Sequence, residues 1–566
     1  MIFNYPSYFW GNNREIPPIQ PNNPTDSQRY ELIKYILASS RRIEDFQSIV
    51  QLLSAPVKNK ELSSAGKFKG VKVAVVGGGL AGLSAAFELR KFGVNITIFE
   101  ASEDHIGGRV HTHYFNKDKN LYGELGAMRI PASHETTWHY INLFKLNTRP
   151  FIQKNKNAFI YVDNERTQND PEGKNIKEKI YPKFQLKTWE KNLPWSKLNS
   201  YALEEHLINL HVSLRTEILR IRNKYSSQYL NLERLSVRQA MEVLGLSEDA
   251  INLISSVDPI VGSFLYNSYN EILQDIYPVN FAYLYEIVGG MTKLPLAFYN
   301  SLTSNNPEEY DGIPSSMLGK VNWRRGNWVE GIYQREKGGK VALSYKNKHS
   351  DKTYMEAFDY VVCAIPFSTL RNIKITPLFS NKKMEAIREI NYSNAQKTLF
   401  LCDNRFWEKG GVNEKIIGGI SFTDKIITSI VYPSDHGLDM SGVLLASYNL
   451  GLDADRLGSI TDERRINIIK RQIEEVHGLE YGYLDNIVKE FVTREWNKEQ
   501  WALGAFSMLF PEQKRIYLYE MQRPEYDNRI FFAGEHISCN HAWMQGALYS
   551  GITAANNLID YLRGNK

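Results

Sequence analysis

Residues 72–100 read KVAVVGGGLAGLSAAFELRKFGVNITIFE, and their residue types follow the order of a βαβ unit. The Val and Ala run reads as a buried strand, the three glycines as a tight turn, the next stretch as a helix, and VNITIFE as a second strand. Gly77, Gly79 and Gly82 make a G-x-G-x-x-G directly after the first strand. The first permits the turn, the second lets a pyrophosphate approach the backbone, and the third lets helix pack on strand. A helix beginning near Leu80 then offers unpaired N–H groups and its positive dipole end to the phosphates. Glu100 stands 21 residues after Gly79, at the close of the second strand, where a carboxylate can hold ribose hydroxyls. These residues predict a dinucleotide site, and NAD and FAD fit it equally.

Two other stretches separate the cofactors. In ASEDHIGGRV (101–110), Gly107 and Gly108 make a second close-approach turn beside Arg109, whose guanidinium suits bidentate contact with phosphate. A surface turn with a solvated arginine is the alternative. In FFAGEH (531–536), Gly534 and Glu535 close a strand ahead of a helix that begins near Trp543. A carboxylate there can bind a ribityl hydroxyl, and the helix N-terminus can face the electron-rich end of a reduced flavin. A nicotinamide enzyme needs no such contact, so FAD is the better match. Between these stretches lies YGELGAMRIP (122–131), where small residues surround one cation, Arg129. An arginine so placed calls for an anion.

The totals exclude several classes. The 566 residues allow two or three domains, and 43% hydrophobic with 23% charged residues is the composition of a folded globular chain. A formal charge of +5, without a dense Lys/Arg block, argues against nucleic-acid binding. No run of 18 apolar residues and no apolar leader pattern occurs, so the expectation is a soluble cytoplasmic protein with no membrane contact. Three cysteines, Cys363, Cys402 and Cys539, are too few for a disulfide framework, lack zinc-ligand spacing and are expected as free thiols; no metal site is expected.

Along the chain, 1–65 reads as an N-terminal helical extension, with apolar residues at helical spacing over 28–55. Residues 185–280 read as mostly helical, with a start at Ser236 and a glycine stop at Gly245, and as a cover over the substrate. Glu271 and Asp275 in this block are candidate counter-charges for a substrate side chain, although an acidic residue on such a helix is more often solvated. Strands are expected around 317–365, at 395–402 and at 440–450, and a strand, loop and helix close the chain.

The stretches VAVVGGGLAGLSAAFELRKFG…ITIFEASEDHIGGRV, GELGAMRIP, YEIVGGMTKLP, QKTLFLCDNRFWE and RIFFAGEH…HAWMQGALYSGITAA resemble the flavin amine oxidases, most closely the bacterial L-amino-acid oxidases. The resemblance runs from about residue 70 onward. It implies an α/β fold, α+β overall: a Rossmann-like FAD-binding domain built from 66–150, 281–370 and 501–566, a mixed-sheet substrate domain from 151–184 and 371–500, and the helical domain 185–280. It carries cofactor contacts over to Gly77, Gly79, Leu80, Ala81, Gly82, Glu100, Gly107, Gly108, Arg109, Gly126, Ala127, Met128, Arg129, Val329, Gly534, Glu535 and Trp543. A homodimer follows from the resemblance alone.

The resemblance also answers what Arg129 is for: it stands where the family pairs an arginine with the substrate α-carboxylate, a match for a guanidinium that stays charged. A salt bridge internal to the FAD domain is the alternative. Tyr448 matches a second carboxylate ligand, or else is a core tyrosine on a strand. Lys397 matches a lysine that reaches the flavin N5 through water and favours electron transfer to oxygen, although an alternating strand can equally place it in solvent. Trp543 matches an aromatic residue facing the substrate amine; an ordinary core tryptophan is the alternative. Trp496 matches another family aromatic of unassigned role. Ala505 stands where covalent family members carry a cysteine, so FAD is expected to be noncovalent, with Cys539 near the flavin-facing loop. The helical stretch 263–290 holds no histidine, which disfavours a dedicated histidine base there. The implied reaction is oxidative deamination of an L-α-amino acid, by hydride transfer from Cα to flavin N5 and reoxidation by oxygen, giving a 2-oxo acid, ammonia and hydrogen peroxide. Amino-acid 2-monooxygenase, a dehydrogenase using another acceptor, and a flavin-binding scaffold without turnover remain open.

Overall fold

The computed structural model describes residues 17–56, 65–435 and 441–564. Its organising element is a five-stranded parallel sheet, in the order Val321–Arg325, Asn95–Glu100, Lys72–Val76, Tyr360–Cys363, Ile530–Phe532. Lys72–Val76 is central, with Val73 opposite Ile96 on one side and Tyr360 on the other. A strand buried on both faces has no reason to alternate polar and apolar residues, which accounts for the sequence KVAVV.

Helix Leu80–Arg90 leaves this strand through a turn that only glycine can make. Gly77 adopts φ +107°, and a Cβ on Gly82 would collide with the Gly77 carbonyl oxygen. The long helix Met544–Gly564 lies against the same helix: Ser84 donates from Oγ to the Leu548 carbonyl at 3.1 Å, and Gly551 approaches the Ala81 carbonyl too closely for any side chain.

A second, seven-stranded sheet takes the order Val488–Glu495, Ala395–Cys402, Gly442–Leu450, Ser429–Val431, Ile420–Thr423, Phe159–Val162, Glu165–Gln168. Its neighbours are antiparallel except Ile420–Thr423 with Phe159–Val162, so the sheet is mixed. A small sheet of Ile130–Pro131, Leu284–Ile287 and Thr148–Pro150 joins the segment after Arg129 to the chain leaving the helical block. The fold is α/β with a Rossmann-like sheet, as the family resemblance implied, and 72–100 form the βαβ unit read from the glycine pattern. No helix among the described residues is long and apolar enough to cross a membrane.

Helices fill 188–276, and Ser236 caps Val237–Val243 in a reciprocal box with Gln239, ahead of Gly245 at φ +80°. The helical block is broken near residue 210. Helix Trp195–Asn209 stops where Leu210 turns extended, and His211 caps a new short helix, Val212–Arg215. Arg215 is drawn to Asp45 (3.0 Å) and to the carbonyls of Ile208 and Leu210, contacts that a continuous helix could not make. Within the N-terminal segment the described residues form helices Asp26–Ser39 and Phe46–Leu53; residues 1–16 and 57–64 of the predicted extension lie outside the described residues.

Gly82→Ala should lower stability by about 3 kcal/mol, the cost of overpacking a site that cannot yield. Urea unfolding measures it, and the purified variant should also retain less flavin than the wild type.

Candidate functional site

One cavity of ≈ 600 Å³ runs from the glycine turn to the mixed sheet. Gly77, Gly79, Leu80, Ala81, Glu100, Gly107, Gly108, Arg109, Gly126, Ala127, Met128, Arg129, Val329, Lys397, Tyr448, Gly534, Glu535 and Trp543 all line it, with Trp496 and Ala505. Gly82 does not line it; it packs beneath the turn.

At the nucleotide end a Cβ on Gly79 would meet nothing within 4 Å, so the backbone there is bare to the cavity. Gly79 also stands at the N-cap of Leu80–Arg90 and supplies no side-chain hydrogen bond to it, which leaves the first N–H groups for a ligand. Glu100 accepts Gly78 N–H and Ser102 N–H at 2.8 Å, one on each oxygen, and keeps a lone pair on each for another donor. Burial raises its pKa and these N–H groups oppose the rise. The second glycine turn docks on the first through Gly107 N–H to Gly78 carbonyl at 3.0 Å.

Arg109 does not point its charge into an open surface. Its Nη1 donates to Glu535 (2.8 Å) and to the Ala505 carbonyl (3.0 Å), while Glu535 also accepts Ser507 N–H (3.0 Å) and Ala542 N–H (3.2 Å). Two residues read separately for phosphate and ribityl contact are therefore an ion pair within the cavity wall. Ala505 lines the cavity and Cys539, though buried, does not.

At the other end, Lys397 and Tyr448 are directly opposed on neighbouring antiparallel strands and so share a face. The Lys397 ammonium donates to the carbonyls of Gly126 (2.7 Å) and Glu124 (3.3 Å) and sits 4.5 Å above the Tyr448 ring. It is 2% exposed, so the solvent alternative does not apply. Burial pushes its pKa down to about 7, against the pull of Glu124 and with the help of Arg129.

Arg129 is also buried. Its Nη1 donates to Gln153 at 3.2 Å, and its guanidinium lies 5.9 Å from the Phe151 ring and 5.3 Å from Phe281. Burial brings its pKa down to about 10, with Tyr448 and Asp275 opposing, so it stays cationic at neutral pH. Trp543 completes this end, with Phe281 at 5.5 Å and His134 edge-on at 5.0 Å.

Glu271 and Asp275 correct the expectation of solvated entrance carboxylates. Both are buried: Glu271 accepts from or pairs with His541 Nδ1 at 2.7 Å, and Asp275 accepts the Trp543 indole N–H at 2.7 Å. Histidines thus reach this region from outside the helical block, as His134 and His541. Other lining residues had no sequence signal: His105 and His111, whose rings lie 4.6 Å apart, and Arg494, 5.4 Å over Trp496.

The family model for flavin-containing amine oxidoreductases matches residues 80–559. The chain belongs to that family. This amine oxidoreductase is 30% identical over 530 residues to an L-amino-acid oxidase of Siganus canaliculatus, across 92% of this chain and 90% of that protein. It is 30% identical to the flavin-dependent L-tryptophan oxidase RebO of Lentzea aerocolonigenes, across 85% of this chain and 97% of RebO. Putrescine oxidase bound to putrescine shares the amine oxidoreductase fold at a TM-score of 0.65 and 17% identity, over 87% of this chain and 99% of that one. The bare Gly79 backbone, the uncapped helix and Glu100 fit the dinucleotide part of FAD.

The Lys397 shift carries a pH dependence. Between pH 7 and 10.5 the unfolded chain holds a proton on this lysine that the folded chain has released, so the residue makes stability rise with pH in that window. Urea unfolding of the holoenzyme at pH 7 and pH 9.5 should show a smaller rise for Lys397→Met than for the wild type.

Proposed function

We propose that the chain is an FAD-dependent L-amino-acid oxidase that converts a free L-α-amino acid to a 2-oxo acid, ammonia and hydrogen peroxide. The observation that carries this reading is the buried Arg129 guanidinium lining the same cavity as Tyr448, Lys397 and Trp543. A permanent cation flanked by two phenyl rings suits a carboxylate, and putrescine, the ligand of the fold relative, has none. The L-amino-acid oxidases and RebO at 30% identity support the same substrate class.

Gly77, Gly79, Glu100, the Arg109–Glu535 pair and Val329 would hold FAD along the cavity. Bound FAD supplies the two-electron acceptor for the Cα hydrogen and passes the electrons to oxygen. Arg129 and Tyr448 take the two carboxylate oxygens, which fixes the Cα–H direction and lowers the cost of orientation. Tyr448 keeps its proton and can donate, because burial raises its pKa. Trp543 offers its ring face to the amino group. Lys397, held by two carbonyls, places a titratable cation where negative charge arrives on oxygen. Water then hydrolyses the released imino acid. A cytoplasmic homodimer completes the reading, the first from the buried, unpaired Cys363, Cys402 and Cys539 and the second from the family resemblance.

The test is peroxide release by the yellow protein against the twenty L-amino acids, with D-isomers and simple amines as controls. Peroxide with stoichiometric 2-oxo acid from L-isomers is expected. Amide product would mean a monooxygenase, flavin bleaching without peroxide in air a dehydrogenase, and no bleaching a non-catalytic scaffold. Arg129→Met should raise KM about 10- to 100-fold, the loss of a charged hydrogen-bonding partner, while flavin content holds.

A further inference from the structure

The N-terminal helices Asp26–Ser39 and Phe46–Leu53 lie outside the matched residues 80–559, yet they are wired into the substrate end of the cavity. Arg42, 1% exposed, bonds Asp45 at 3.0 Å and donates to the carbonyls of Ile276 (3.2 Å) and Tyr277 (2.6 Å). These lie at the C-terminal end of helix Tyr269–Ile276, where carbonyls lack helical partners and a cation is favourable. One residue earlier stands Asp275, whose Oδ1 accepts the Trp543 indole N–H (2.7 Å) and Asn280 Nδ2 (3.0 Å). Asn280 in turn meets His134 Nε2 at 3.1 Å, and His134 lies edge-on to Trp543.

A second tie runs through Leu53. Its carbonyl accepts Thr136 Oγ1 (2.8 Å) and Gln545 Nε2 (2.7 Å), two residues after Trp543. Arg29 adds a buried pair with Glu135 (2.6 Å) and a bond to the Ala132 carbonyl (2.6 Å), just beyond Arg129. The three pieces of chain that bring Arg129, Asp275 and Trp543 together are thus each bound to one N-terminal segment.

We propose that this segment is part of the substrate site, with Arg42 and Asp275 as positioning residues that hold the Trp543 indole against the cavity. The inference rests on Trp543 facing the substrate amine. Asp275 supplies a fixed acceptor in an apolar setting, and Arg42 sets the helix end that carries it. Neither touches the reacting atoms. Misorientation of an amine-facing ring disturbs the Cα–H direction and leaves the carboxylate on Arg129 in place.

The experiment uses holoenzyme variants, the L-amino acid that the wild type turns over fastest, and 3-phenylpropanoate, a carboxylate with no amine, as competitive inhibitor. Arg42→Met and Asp275→Leu should each lower kcat/KM about tenfold, mostly in kcat, because positional errors of this kind act on the reactive geometry. Flavin content and the inhibition constant of 3-phenylpropanoate should stay within about twofold of wild type, and Asp275→Asn, which keeps an acceptor, within about threefold in kcat/KM. Unchanged kcat/KM in both variants overturns the proposal, as does an equal loss of inhibitor affinity, which marks general loosening. Arg42→Lys replaces Arg42→Met if the latter does not fold. A wild type inert toward every L-amino acid defeats the oxidase reading separately. The relay is then read from the near-UV dichroism assigned to Trp543 by difference from Trp543→Phe, and a band unaltered in Asp275→Leu and Arg42→Met overturns it.

Discussion

The carbonyl oxygen of Gly77 occupies the space where any side chain at residue 82 would stand, and this contact sets the distance between the central strand and its helix. From it follows the bare backbone at Gly79, the aim of the helix N-terminus and the docking of the Gly107 turn. The same helix then receives Met544–Gly564 at a second glycine contact, so the start of that helix, and with it Trp543, is placed by packing some distance from the cavity. Close packing transmits such placement because interiors have few voids to absorb a shift.

The substrate end is governed by charge in place of shape. Arg129 and Lys397 both line the cavity and are both buried, and the Arg129 charge lowers the readiness of Lys397 to hold a proton. The protein offsets this with the nearby carboxyl groups of Glu124 and Asp275 and with oriented neutral groups, among them the carbonyls of Gly126 and Glu124 for Lys397 and the Gln153 amide and two aromatic faces for Arg129. Dipoles of this kind are fixed in place before a ligand arrives, so that an anionic ligand meets a field that needs no rearrangement.

What the sequence displayed openly was whatever depends on near neighbours. The strand, turn and helix at 72–100 follow from residue types a few positions apart, as does the Ser236 cap. The grouping of Arg129, Lys397, Tyr448 and Trp543 became legible through family resemblance, since no spacing in the chain shows that Lys397 opposes Tyr448. Pairings across long separations stayed hidden. Arg109 and Glu535 were each assigned a ligand because neither carries a mark of the other. Glu271 and Asp275 looked solvated because helical spacing says nothing about what packs on the acidic side; the partners, His541 and Trp543, arrive from the far end of the chain. The buried arginines of the N-terminal helices are a similar case.

The outer strand Ile530–Phe532 and the helix after it close a sheet whose centre is Lys72–Val76. During synthesis these pieces leave the ribosome at opposite times. The first βαβ unit must wait with apolar surface uncovered while more than four hundred residues are added, and parallel pairing over such a span is slow. A chain that stops short of residue 535 lacks the Glu535 and Trp543 wall of the cavity, so the site that the first βαβ unit begins is completed only by residues more than four hundred positions later.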